Sequence, residues 1–71
     1  MVTFYEILVV NGVLTALAVK GNGEQEKITA KVDGSYHSSK DGEIIRATWC
    51  LVLEARENNG KYPDKTSIAW G

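Results

Sequence analysis

Asn11-Gly12 stands between two apolar runs, Val2–Val10 and Val13–Lys20, and no other feature of the chain limits its fold as much. Both residues tolerate the positive φ of a type I′ turn, whose twist matches that of two paired strands, so residues 2–20 predict a β-hairpin. A two-residue turn also sets the register. Counting outward from it pairs Val10 with Val13, Leu8 with Thr15, Glu6 with Leu17 and Phe4 with Val19 on one face. Val9 with Leu14, Ile7 with Ala16 and Tyr5 with Ala18 share the other face, where the two alanines would let a helix approach closely.

The chain beyond the hairpin supplies one more full strand and a helix. Gly21-Asn22-Gly23 reads as a turn. Glu26–Asp33 then alternates Ile28, Ala30 and Val32 against Lys27, Thr29, Lys31 and Asp33, the pattern of a half-exposed edge strand. Gly34–Gly42 is polar and turn-rich. Glu43–Glu57 alternates well enough for a strand, which would make the protein all-β. Fifteen residues without Gly or Pro is long for a strand, however, and length favours a helix. Ser38, Ser39 or Asp41 could cap its start, and Asn58-Asn59-Gly60 with Pro63 beyond is a stop signal. Lys65–Trp70 reads as a short final strand.

The expected fold is α+β in the order βββαβ, one domain over residues 1–71: a three-stranded antiparallel meander, one helix on one sheet face and a short final strand. A sheet order 3-2-1-4 follows, and the usual right-handed crossover would set the last strand parallel to the first.

With one cysteine and one histidine among 71 residues, an internal disulfide and a Cys/His zinc site are both excluded. A core this small holds about 3–5 kcal/mol unaided, so tight packing or association must supply the rest. The formal charge of −1, with acids and bases mixed, gives no field to draw the chain to nucleic acid or an anionic membrane. The longest apolar run, Ile7–Val10, is far too short to span a bilayer. Met1–Glu6 lacks the basic lead of a signal peptide. A cytoplasmic chain with a reduced thiol, no cofactor and no membrane contact is expected.

Reactive side chains collect only in Asp33–Glu43. Ser35, Ser38 or Ser39 with His37 would be a nucleophile–base pair, but a local polar stretch supplies no buried orienting carboxylate. Asp33, His37, Asp41 and Glu43 are the candidate ligands for a hard divalent ion, yet they lack calcium-loop spacing. Strand-strand-strand-helix-strand resembles the first half of the ribonuclease H-like fold. Val32-Asp33-Gly34-Ser35 looks like that family's first catalytic strand, and Glu43 is similar to its helical carboxylate. Such a resemblance implies metal-dependent chemistry. Here Asp33 falls on the third strand, and Thr66–Trp70 carries no acid to match the further metal-binding aspartates. The resemblance is therefore one of architecture. Trp49 reads as a core residue and Cys50 as an inert thiol. No catalytic and no metal site is expected.

One helix covers one face of a small sheet. If that is the face of Ala16 and Ala18, the other exposes Phe4, Leu8, Val13, Leu17 and Val19 together, a patch of the kind that marks an interaction surface. The long loop or the last strand with Trp70 could instead fold over it. The preferred expectation is a non-catalytic protein-binding module, an inhibitor, adaptor or assembly subunit, with a twofold homodimer as the commonest form. The rival is a small nucleic-acid-binding regulator using Lys27, Lys31 and Tyr36.

Overall fold

The structure, a computed structural model, describes residues 1–63 and 66–70. Five elements follow one another: β1 (Val2–Val10), β2 (Val13–Lys20), β3 (Gln25–Lys31), α1 (Gly42–Glu57) and β4 (Ile68–Trp70). The strands form one sheet in the order β3-β2-β1-β4. Residues 43–57 are helical, which settles the fold as α+β over the all-β alternative. β3 stops at Lys31, so Val32 and Asp33 lie in the turn beyond it. The expected start of the last strand, Lys65, lies outside the described residues.

Asn11 and Gly12 both adopt positive φ (51° and 76°), and Val10–Val13, Val9–Leu14 and Leu8–Thr15 pair as the turn dictates. Past Leu8 the expected register fails. Glu6 takes a left-handed φ of 54° and, with Ile7, stands against a single residue of β2, between the Leu8–Thr15 and Tyr5–Leu17 pairs. This is a β-bulge, and it turns every residue before it to the opposite face. Phe4 therefore pairs with Ala18, not Val19, and Val2 with Lys20. Both are fully buried on the helix side.

The expected parallel last strand is also wrong: β4 is antiparallel to β1, with Phe4 opposite Ile68 and Val2 opposite Trp70. The reason lies in the segment 32–41. Instead of turning at once into the helix, it runs back along the outer edge of β3, where His37 bridges Ala30 and the Ser38 N–H donates to the Thr29 carbonyl. The helix thus begins beside the end of β2, with Lys20 reaching Asp41 (3.0 Å). It ends beside the hairpin turn, where Gly60 meets Val9. The chain has climbed in α1 and must descend in β4. β4 joins the ladder at Phe4, just before the bulge, and runs to Val2.

The Asp41 carboxylate caps α1 by accepting the N–H groups of Glu43 and Ile44 (2.9 and 3.1 Å). At the other end Asn59 is left-handed and the Gly60 N–H donates to the Ala55 carbonyl (2.8 Å), which closes the last turn. The core lies between the layers. Val2, Phe4, Ile7, Leu14, Ala16, Ala18 and Ile28 meet Ile44, Ala47, Leu51 and Ala55 of α1, with Trp70 and Tyr62 at the margin. The alanines of β2 do sit under the helix.

Candidate functional site

The sheet face turned away from α1 carries most of the candidate residues. Its outward residues line up across the strands in rows: Thr3–Val19–Gln25, Tyr5–Leu17–Lys27, Leu8–Thr15–Thr29 and Val10–Val13–Lys31. Of the expected patch, Leu8, Val13, Leu17 and Val19 are here, but Phe4 is not. The bulge moves Phe4 into the core and brings Tyr5 out in its place. Leu8 is 57% exposed, Val10 54% and Tyr5 43%, while Val13, Leu17 and Val19 are half-buried by their neighbours on the pleat. Thr66 reaches the margin of this face beside Tyr5 and Glu6. Trp70 packs on the helix side and residues 32–41 follow the β3 edge, so neither covers it.

Polar groups frame the apolar centre. Glu6 borders two shallow depressions, one shared with Tyr5, Leu17, Val19, Gln25 and Thr66, the other with Thr15, Lys27 and Thr29. Lys27 and Lys31 are exposed along β3. Among the described residues, neither lysine pairs with Glu6 or any other acid. Lys20, by contrast, faces the helix side, where it lies 3.0 Å from Asp41 and 3.7 Å from Glu24 and Glu43. Its hydrogen bond to Asp41 holds the Lys20 pKa up and the Asp41 pKa down. This lysine is spoken for, and adds nothing to the positive margin of the open face.

Tyr36 is exposed in the segment that closes the β3 edge, its carbonyl accepting the Lys31 N–H (3.2 Å). The four candidate metal ligands have separate tasks. Asp33 accepts the Ser35 N–H (2.9 Å), and that bond holds its carboxyl below the usual range. His37 Nδ1 accepts the Ser39 N–H (3.2 Å), Asp41 caps the helix, and Glu43 lies toward Lys20. Among the described residues no three His, Cys, Asp or Glu side chains gather closely enough to hold a metal.

A second apolar stripe lies on α1, outside the residues the sequence patterns single out. Ile45, Trp49 and Leu53 follow one another at single-turn spacing on the outer side of α1, all more than a third exposed. Trp49 is not the core residue its type suggests. Its ring lies against the Gly34 turn, where a Cβ would come within 2.8 Å of it, and the Arg56 guanidinium sits over it at 5.8 Å. The stripe is thus partly covered by the chain's own loop. The signal was present, since a helix apolar on nearly every side has one sheet to lie on. Cys50 is half-buried and free.

No known family model matches the chain, and no curated protein or solved structure is significantly similar to it.

Proposed function

We propose that this chain is a non-catalytic protein-binding module, a small inhibitor, adaptor or assembly subunit, that works through its open sheet face. One observation carries the reading: Tyr5, Leu8 and Val10 stand half exposed on a sheet with a helix on its other side only. Such a contiguous apolar surface, flanked by Glu6, Lys27 and Lys31, has the composition of an interface core with a charged rim. No helix of the described residues is long and apolar enough to cross a membrane. With a free thiol at Cys50, the cytoplasm is the compartment that fits.

Nucleic-acid binding through Lys27, Lys31 and Tyr36 is the weaker reading. Two lysines at the margin of an apolar face, in a chain of net charge −1, release few counterions.

Capture from a lysate of the cells that make the chain distinguishes the surfaces. Wild type and Ile45→Glu should retain the same bound protein, and Leu8→Glu should lose it while keeping its circular dichroism spectrum. Retention by Leu8→Glu with loss by Ile45→Glu would move the site to the helix stripe and overturn the reading.

A further inference from the structure

We propose that the occupant of the open face is a second copy of this chain, docked sheet to sheet about a twofold axis that runs along β2. The inference rests on the reading of that face as the binding surface, and adds who binds it.

The charges carry the argument. Glu6 lies on β1 to one side of β2, and Lys27 lies on β3 to the other, both bordering the same depression over Thr15. A carboxylate amid Tyr5, Leu8 and Leu17 is costly to cover unless the partner brings a cation to it. A twofold axis along β2 carries β3 of the partner under β1. It sets Glu6 against the partner's Lys27 and, by the same operation, Lys27 against the partner's Glu6. The complement this carboxylate needs is already on its own face.

The apolar residues obey the same symmetry. Val13, Leu17 and Val19 point outward from β2 and would meet their own counterparts on the axis, while Leu8 would cover Thr29 of the other sheet. Two sheets packed this way stand about 10 Å apart with strands within about 30° of alignment. At that spacing glutamate and lysine side chains meet. The shortest dimension of the molecule, 17 Å, is that of one sheet and one helix, leaving a broad side of 31 × 25 Å. A rectangle of those sides encloses about 775 Å², close to the roughly 800 Å² per partner of a standard interface, so nearly the whole face would be used.

The test is a charge exchange read by light scattering and analytical ultracentrifugation. Wild type should be a dimer, and Glu6→Lys and Lys27→Glu should each weaken it about tenfold or more by setting like charges together. The double variant Glu6→Lys/Lys27→Glu should recover most of the loss. Leu8→Glu, which leaves Glu6 in place, should be a folded monomer and guards against a folding defect in the charge variants. A wild type that stays monomeric to about 1 mM would overturn the self-docking proposal. The binding-face reading would then stand or fall separately on the lysate capture. A dimer indifferent to all three charge variants but lost in Ile45→Glu would likewise overturn self-docking on the sheet, and would place the contact on the helix stripe.

Discussion

Phe4 stands directly opposite Ala18, and the pair is sealed between the sheet and α1. Four residues along, Leu8 stands opposite Thr15 on the face without a helix. Only the extra residue at the Glu6 bulge lets one strand supply a core aromatic at one end and an exposed leucine at the other. Deleting Glu6 would remove the bulge and leave Ile7 alone opposite Ala16, with Phe4 still opposite Ala18 and Val2 opposite Lys20 on the helix side, so the deletion variant should fold with the same core. Glu6→Gly keeps the bulge and removes the left-handed strain of a residue with a Cβ, and should stabilise by about 1 kcal/mol. Phe4→Ala should cost about 3–5 kcal/mol, enough to unfold a domain this small. Leu8→Ala should stay within about 0.5 kcal/mol of wild type in the monomer. Urea denaturation checks all four.

Gly60 holds a positive φ of 71° at the end of α1, and a Cβ there would come 2.9 Å from Val9 Cγ1. Strain and overlap act together, so Gly60→Ala should destabilise by about 2 kcal/mol. Gly12→Ala, also left-handed but with open space around it, should cost about 1 kcal/mol. Equal losses at the two sites would contradict the close approach of the helix end to β1.

Lys20 and Asp41 join the end of β2 to the start of α1, and their pKa shifts oppose each other. Asp41 is lowered from 3.8, first by its bond from Lys20 and then by the Ile44 N–H. Its contribution is therefore full above about 3.8 and lost as pH falls through the lower folded value. Lys20 is raised from 10.5 by the Asp41 bond, so its contribution is full below that value and lost as pH rises through the higher folded one. Stability should be flat between these limits as far as this pair is concerned. Asp41→Asn keeps a cap and loses the charge, and should flatten the acid limb of a stability–pH curve.

The Tyr62 hydroxyl donates to Glu54 Oε1 (2.9 Å), and burial, with that carboxylate second, pushes its pKa up to about 12. A folded pKa above the unfolded value of 10.0 means that stability falls as pH rises from 10 toward 12. Ultraviolet titration should show one phenol ionising near 12 that is missing in Tyr62→Phe.

Much of this architecture is written in local patterns. The Asn11-Gly12 turn, the alternation of Ile28 and Ala30 with Lys27 and Lys31, and the capping Asp41 each act over a few residues, and each is where its pattern puts it. The failures are those of counting and of distance. A register counted outward from the turn runs straight through Glu6, whereas the ladder breaks at that carboxylate inside an otherwise apolar run. That one slip exchanged Phe4 for Tyr5 on the open face. The direction of β4 depends on residues 32–41, which read as a loop because Ser38 and the Tyr36 carbonyl join β3 without any strand-like alternation. Trp49 departs from its expected core place because this helix has a core on one side only, although aromatic residues in apolar helices usually face one.

A photo-crosslinking residue placed at Leu8 tests the central claim most directly, with the same residue at Ile45 as its control. The account predicts crosslinks from Leu8 to a protein, a second copy of this chain being the expected one, and none of the same product from Ile45. Crosslinks that form from Ile45 while Leu8 remains unreacted would contradict it, and would make the open sheet a bare surface and the helix the docking face.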